Sequence, residues 1–201
     1  MDEIVVPCTY FAQPGPANTT RTLDLAHARA QTLGIRTVLV ATTGGNTGVQ
    51  AARLFDGFDL VVVTHSTGFR GPDIQELTAA NRAVIESLGA ALLTTTHAFG
   101  GVGRAVRKKL GTYQVDEIMA YTLRTFGQGI KVAAEISLMA ADAGLVRTDE
   151  PAIAIAGTKQ GADTAVVLQP THAQTFFDLR FLEIICMPAP GHPWSSQQNG
   201  R

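Results

Sequence analysis

Residues 37–55, TVLVATTGGNTGVQAARLF, set the organisation of this chain. The segment begins with an apolar, β-branched run typical of a strand and ends with a stretch typical of a helix. Between them lie Thr42, Thr43, Gly44, Gly45, Asn46 and Thr47. A strand, a Gly-rich loop and a helix in this order form a phosphate cradle, because loop N–H groups and the helix dipole favour an anion. The alternative is a Gly-rich turn with a capping residue and no ligand, since the Gly-Lys-Ser/Thr triplet of nucleotide-hydrolysing loops is absent.

Strand-like runs and helical patterns alternate on both sides of this stretch. The first strand is predicted at EIVVP, residues 3–7, and the last at EIICM, residues 183–187. Such alternation requires a mostly parallel sheet with helices on both faces, and the closely spaced late strands indicate an antiparallel edge. We therefore predict a three-layer α/β/α domain over residues 1–188 and a polar tail over residues 189–201.

Two helical stretches carry specific boundary signals. One is predicted to begin near Pro72 and to end at Gly89. The other covers residues 116–143 and is interrupted by Gly127 and Gly129. Each glycine inside a helix costs about 1 kcal/mol relative to alanine, so the pair predicts a break or a close backbone contact.

Four loops are predicted to form one site, because ligands bind outside the carboxyl ends of strands in such sheets. After the 42–48 loop come THSTGFRG at 64–71, TTTHAFGGVGR at 94–104 and GTKQGADTA at 157–165. For these three, a capping turn, a structural histidine and a plain hairpin turn are the alternatives. The candidate ligand-binding residues are Thr42, Thr43, Gly44, Gly45, Asn46, Thr47, His65, Gly68, Phe69, Arg70, His97, Phe99, Gly157, Thr158, Lys159, Gly161, Asp163 and Thr164.

Composition narrows the classes of function. The chain has 201 residues, a net charge of -1 and 6% aromatic residues, which disfavours nucleic acid and anionic membranes as partners. Cys8 and Cys186 are expected to be free thiols. The acidic N-terminus is too short in apolar residues for a signal peptide, and no run reaches the ~18 residues of a membrane span. We therefore expect a cytoplasmic protein.

Motifs of common catalytic centres are absent from the sequence. There is no Gly-x-Ser-x-Gly, no Cys-x-x-Cys and no His-x-x-x-His or dense acidic cluster, so no metal site is predicted. The basic residues Arg104, Arg107, Lys108 and Lys109 are interpreted as the solvated face of a short helix. The loops are rich in Thr, Gly, Asn, His and Arg, a set that binds an anion rather than one that splits it.

Several motifs resemble a known family. Residues 38–71 and 152–170 resemble the two ends of the C-terminal domain of pyruvate kinase, whose corresponding loops hold the phosphates of an allosteric sugar bisphosphate. The segments YF…PGP.NT at 10–19, GFR at 68–70, the helix 126–144, GADTA and EIICMP are similar to a family of small stand-alone proteins with that fold. None of the kinase's catalytic barrel is present, so the resemblance does not imply phosphoryl transfer to ADP.

The resemblance also implies a ligand, because at least one member of that family is associated with FMN. In such a site the 42–47 loop would hold the phosphate, and Tyr10, Phe69 and Phe99 would wall the flavin ring. The leading hypothesis is a protein that binds a phosphorylated small molecule, FMN foremost. The alternatives are an enzyme acting on a phosphorylated metabolite with His65 or His97 as acid or base, and a regulatory module that senses a metabolite, with a homo-oligomer left open.

Overall fold

The computed structural model of the protein describes residues 3–189, so the predicted polar tail lies outside the described residues from 190 onward. The strands are β1 (Thr9–Phe11), β2 (Thr37–Ala41), β3 (Asp59–Thr64), β4 (Ala91–Thr94), β5 (Ala152–Ala156), β6 (Thr164–Gln169) and β7 (Arg180–Pro188). The helices are α1 (Thr19–Leu33), α2 (Asn46–Leu54), α3 (Ala79–Ser87), α4 (Val102–Leu110), α5 (Val115–Arg124) and α6 (Gln128–Asp142). Short 3-10 turns span Pro16–Asn18 and Ala173–Asp178.

The strands form one seven-stranded sheet in the order β1-β7-β6-β5-β2-β3-β4. The pairs β5–β2, β2–β3 and β3–β4 are parallel, as is β1–β7. Strand β6 runs antiparallel to both β5 and β7, and it follows β5 through a hairpin. The predicted mostly parallel sheet with an antiparallel edge is confirmed. The carboxyl ends of β2, β3, β4 and β5 therefore meet at one edge of the sheet.

Helices cover both faces of the sheet, as the predicted three-layer architecture requires. Strand β2 shows why: Val38 and Val40 point into a core shared with α1, α2 and α3, whereas Leu39 points into the core under α6. All three side chains are fully buried. Burying an aliphatic side chain contributes roughly 1.5–3 kcal/mol, so a strand that is apolar at every position is most stable between two layers.

Two boundaries predicted from the sequence are wrong. Residues 3–7 form no strand, and Ile4 and Val5 are 90% and 84% exposed. The first strand instead begins at Thr9, where β7 supplies a hydrogen-bonding partner. Likewise, α3 begins at Ala79 rather than near Pro72, because the Thr78 hydroxyl caps the helix by accepting a hydrogen bond from the Asn81 N–H at 3.2 Å.

The two glycines of the long helical stretch have different roles. Gly127 adopts φ 148° between α5 and α6, so it forms the predicted break. Gly129 lies inside α6, where a Cβ would stand 2.0 Å from the Thr164 hydroxyl oxygen in β6. It therefore provides the predicted close contact and lets α6 pack directly onto the sheet.

Two further features of the structure concern the state of the cysteines and the length of the helices. Cys8 and Cys186 are free, as predicted, with Cys186 buried. Burial raises the pKa of the Cys186 thiol to about 12, so it is unreactive at neutral pH. No helix within residues 3–189 has the length and apolar character needed to cross a membrane.

Candidate functional site

A cavity of about 800 Å³ lies at the carboxyl edge of the parallel strands. It is bordered by the loops after β2, β3, β4 and β5 and by the start of α1. Many of the candidate residues line it: Thr42, Thr43, Gly44, Asn46, Thr47, His65, Phe69, His97, Gly157, Thr158, Lys159 and Gly161. The remaining candidates, Gly45, Gly68, Arg70, Phe99, Asp163 and Thr164, do not belong to the lining.

The loop between β2 and α2 is anchored from the side opposite the cavity. The Asn81 amide of α3 donates hydrogen bonds to the Gly44 carbonyl oxygen at 2.8 Å and to the Asn46 Oδ1 at 3.0 Å. Gly45 adopts φ 104°, and a Cβ there would stand 2.4 Å from the Asn81 Cβ. These contacts occupy a loop carbonyl. In the first turn of α2 the Gly48 N–H donates to the Thr42 hydroxyl at 3.4 Å, whereas the N–H groups of Asn46 and Thr47 have no partner within the helix and remain available to an anion.

The hairpin between β5 and β6 is fixed by a buried carboxylate. Asp163 is fully buried and accepts hydrogen bonds from the Gly15 N–H at 2.9 Å, the Thr158 N–H at 3.2 Å and the Thr164 hydroxyl at 2.9 Å. Asp163 therefore supports the loop from behind. Lys159, at the tip of the hairpin, adopts φ 67°, an unusual backbone conformation for a residue with a Cβ.

The same hairpin packs against the start of α1. The Ala162 N–H donates to the Thr19 hydroxyl at 3.0 Å, and a Cβ at Gly161 would stand 2.5 Å from the Pro16 Cα. This close approach brings Pro16, Thr19 and Thr20 into the cavity lining. Sequence reasoning missed Thr19 and Thr20 as site residues because nothing in α1 indicates which loop its first turn contacts.

Three aromatic rings cluster beyond the ends of β3 and β4. The Phe69 ring lies on the His97 ring with centroids 4.8 Å apart and planes 17° apart. The His65 ring is 4.4 Å from Phe69 and 5.3 Å from His97. Phe99, also predicted as a ring wall, is instead 5% exposed and packs in a core with Ala134 and Leu138.

The two histidines have different hydrogen-bonding states. His97 Nε2 accepts the Ser66 N–H at 3.3 Å, so its proton resides on Nδ1, which lies 4.0 Å from Glu135 Oε2. Burial lowers the pKa of His97 to about 4, although the Glu135 charge opposes the shift. His65 Nδ1 is 2.7 Å from Glu76 Oε2, and this contact lowers the pKa of the Glu76 carboxyl. Because its pKa is about 4, His97 is neutral at pH 7.

A buried ion pair forms the floor of the cavity. Lys131 and Glu135 face each other one turn apart on α6, and both side chains are 5% exposed. Glu135 Oε1 also accepts the Phe99 N–H at 3.1 Å. Burial lowers the pKa of the Lys131 ammonium, in opposition to the Glu135 charge.

Basic side chains outnumber acidic ones in the lining. Arg104, Arg124, Lys131 and Lys159 line the cavity, whereas Glu135 is its single carboxylate among the described residues. A cavity of this polarity favours an anionic ligand over a cationic one. Within residues 3–189 no group of three or more His, Cys, Asp or Glu side chains is arranged to hold a metal ion.

Three of these cations, Arg104, Arg124 and Lys131, were missed from the sequence, whereas Lys159 was predicted. Arg104 belongs to the basic helix interpreted as a solvated face, but it lines the cavity, whereas Arg107 pairs with Glu117 at 2.7 Å. The signal for Lys131 and Glu135 was present, because a Lys and a Glu four residues apart interrupt an otherwise apolar helix. A charged pair on a buried helix indicates either a structural ion pair or a site.

The fold and the cavity define an α/β domain with a ligand-sized site at the carboxyl edge of a mostly parallel sheet. The family "Pyruvate kinase, alpha/beta domain" matches residues 20–168, and the chain belongs to that family. Among solved structures, the chain is similar to Cryptosporidium parvum pyruvate kinase in complex with ADP, with a TM-score of 0.36 and 14% identity. That match covers 77% of this chain and 24% of the kinase, so the chain spans about a quarter of the kinase's length.

The buried, neutral His97 should make the protein less stable in mild acid. Between pH 6.5 and 4 the unfolded chain binds a proton at this imidazole and the folded chain does not. Stability from this group is therefore lost as the pH falls through that window, by on the order of 2 to 3 kcal/mol at pH 4.5. Urea unfolding at pH 7 and pH 4.5 measures the loss.

The variant His97→Gln isolates this contribution. A glutamine can still accept the Ser66 N–H, but it does not titrate, so the variant should lose less stability between the two pH values. If the free energy of unfolding falls by the same amount between pH 7 and pH 4.5 in both proteins, His97 is not the cause of the acid sensitivity.

Proposed function

We propose that this protein binds a phosphorylated small molecule in the cavity at the carboxyl edge of the sheet, and that FMN is the ligand to test first. The observation that carries the proposal is the combination of a Gly/Thr/Asn loop at the start of α2 with an excess of cations in one cavity. A phosphomonoester fits the loop N–H groups, and the cations balance its charge.

The residues present fit FMN in three respects. The cavity, at about 800 Å³, falls in the size range of cofactor sites. The side chains of Thr20 and Thr158, which line the cavity outside the 42–47 loop, suit the ribityl hydroxyls, and the Phe69 ring, 41% exposed, offers an apolar surface to a flavin ring. When bound, FMN supplies hydride or single-electron transfer. The chain's own contribution is to hold the phosphate and to place cations near the ligand.

Flavin fluorescence during titration with purified protein tests the proposal. We expect saturable FMN binding, and binding of riboflavin, which lacks the phosphate, about tenfold weaker or more, since a hydrogen bond to a charged group contributes about 1.5–3 kcal/mol. The double variant Thr43→Ala/Asn46→Ala should weaken FMN binding to a similar extent and leave riboflavin binding unchanged.

The control is Thr32→Ala, which removes an exposed hydroxyl of α1 that bonds only the Ala28 carbonyl oxygen. It should bind FMN like the unchanged protein. Equal affinity for FMN and riboflavin would contradict phosphate recognition. Binding of inorganic phosphate without binding of FMN would reject the flavin and retain the phosphate site.

A second candidate function is an enzyme that acts on a phosphorylated metabolite with His65 as acid or base. The observation in its favour is the contact of His65 Nδ1 with Glu76, which fixes the ring while it lines the cavity. His97 is less suited, because its Nε2 lone pair is already used by Ser66. A panel of sugar phosphates and nucleotides tested for turnover decides the matter, and unchanged substrates across the panel would remove its support.

A further inference from the structure

Two arginines of the cavity lack a carboxylate partner within the described part of the chain. Arg29, Arg70, Arg107 and Arg147 each contact an acidic side chain within 3.4 Å. Arg104 and Arg124, which line the cavity, have no such partner among residues 3–189. A guanidinium cannot lose its charge at neutral pH, so these two positive charges are balanced by solvent or by a ligand.

Both guanidiniums are held in place by neutral groups. The Arg104 guanidinium carbon lies 4.9 Å from the centre of the Phe69 ring, and Gly100 leaves the space it occupies, since a Cβ there would stand 2.5 Å from Arg104 Nη2. Arg124 donates from Nε to the Gln128 side-chain oxygen at 2.7 Å and lies 5.2 Å from the Tyr121 ring centre. These contacts orient the side chains and leave their terminal N–H groups unused.

A third cation, Lys131, lines the cavity together with the two arginines but is paired with Glu135. All three side chains line the same cavity, and the positive charges of Arg124 and Arg104 add to burial, the main cause, in lowering the pKa of Lys131. Glu135, the only carboxylate of the lining among the described residues, is already bonded to Lys131. An additional anion at this position would relieve repulsion among the three cations.

This cluster lies on the other side of the sheet from the phosphate loop. The 42–47 loop leads into α2, which packs on the face covered by α1, α2 and α3. Lys131 comes from α6, which covers the opposite face, Arg124 comes from α5, which packs on α6, and Arg104 comes from α4, which packs on α5. One ligand that contacts both groups therefore has to extend across the edge of the sheet.

We propose that Arg104 and Arg124 form a second anion subsite, and that the ligand carries a phosphomonoester at one end and a second acidic group, carboxylate or phosphate, at the other. The proposal rests on the proposed function, since it assigns the phosphate to the 42–47 loop. The planar guanidinium suits either oxyanion through paired N–H donors. FMN meets this description only after reduction, when its ring carries a negative charge.

Three linear six-carbon probes separate the two ends. Hexitol 6-phosphate carries the phosphate alone, 6-phosphogluconate adds a carboxylate, and hexitol 1,6-bisphosphate adds a second phosphate. In calorimetric titrations we expect at least one of the two acidic probes to bind tenfold or more tightly than hexitol 6-phosphate. The acidic probe that binds more tightly than hexitol 6-phosphate shows whether the second acidic group of the ligand is a carboxylate or a phosphate.

Matched variants show which residues give the acidic probes their higher affinity. The double variant Arg104→Gln/Arg124→Gln should abolish the tenfold advantage in affinity of the acidic probe over hexitol 6-phosphate. Its affinity for hexitol 6-phosphate should stay within about threefold of that of the unchanged protein. The double variant Thr43→Ala/Asn46→Ala should instead weaken the binding of all three probes to the same extent. Arg53→Gln, which removes a charge at the exposed end of α2 outside the cavity, is the control and should leave the advantage intact.

The outcomes distinguish the two proposals. If hexitol 6-phosphate binds and neither acidic probe binds more tightly, the second subsite is rejected and the phosphate site stands. If Arg53→Gln reduces the advantage as much as the double arginine variant does, overall charge explains it and the subsite is again rejected. If hexitol 6-phosphate, inorganic phosphate and FMN all fail to bind, the proposed function and the second subsite are both overturned.

Discussion

Replacing Glu135 by glutamine is expected to lower the free energy of unfolding by about 3 to 5 kcal/mol, because it leaves a buried ammonium without its counter-charge. Lys131 and Glu135 are both 5% exposed, and α6 and the sheet enclose them on the core side. The glutamine oxygen can still accept the Phe99 N–H, so the loss reports mainly the unpaired charge. Urea unfolding at pH 7 measures it.

The double variant Lys131→Met/Glu135→Gln is the informative comparison. It removes both charges at similar volume, so we expect it to recover most of the stability lost by Glu135→Gln alone. Glu86→Gln in α3 is the matched control, since Arg82 and Glu86 are also four residues apart but are 41% and 53% exposed. That change should cost less than about 1 kcal/mol. Equal losses for Glu135→Gln and Glu86→Gln would contradict a desolvated pair.

The pairing of Lys131 with Glu135 also explains how two charged side chains can be stable at the buried floor of the cavity. A lysine and a glutamate in a core are stable only while each satisfies the other, and this pair gains a third partner in the Phe99 N–H. Its net charge is zero, so it shapes the floor without neutralising an incoming anion. The cations left to balance bound anions are therefore Arg104 and Arg124, at the proposed second subsite, and Lys159.

The fold was predictable because its strands are continuous apolar runs. Val38, Leu39 and Val40 all face apolar layers, so the sequence pattern alone requires two covering layers. The errors occurred where tertiary contacts override local pattern. EIVVP has strand composition but no neighbouring strand, and the stretch after Pro72 has helical composition but folds as a loop ended by the Thr78 cap.

The candidate site was predictable where loops follow strands, and less so where helices contribute. The position of the 42–47 loop follows from topology alone. By contrast, Arg104 and Arg124 become site residues only because α5 packs on α6 and α4 packs on α5, and no local pattern encodes that arrangement. Asp163 shows the opposite difficulty: an acid in a Gly-rich hairpin can face a ligand or bind the loop's own N–H groups, and the structure shows the second.

Replacing Gly129 by alanine should be among the most damaging single changes in the chain. The new Cβ would stand 2.0 Å from the Thr164 hydroxyl oxygen and 2.3 Å from its Cβ, and Thr164 is 1% exposed in β6. No side-chain rotation relieves a clash with a Cβ, so α6 and β6 have to separate. We expect a loss on the order of 4 kcal/mol, large enough to impair folding, although alanine is the better helix former.

Gly103→Ala is a control with the same local geometry, since Gly103 is the second residue of α4 as Gly129 is of α6. A Cβ there meets only the carboxylate end of Asp116, which can rotate away. The change should therefore alter the free energy of unfolding by less than about 1 kcal/mol, with helix propensity offsetting the contact. Thermal and urea unfolding of both variants decide the matter. A Gly129→Ala protein as stable as Gly103→Ala would mean that α6 does not pack directly on β6. Lys131 of α6 would then not occupy the position described for it at the floor of the cavity.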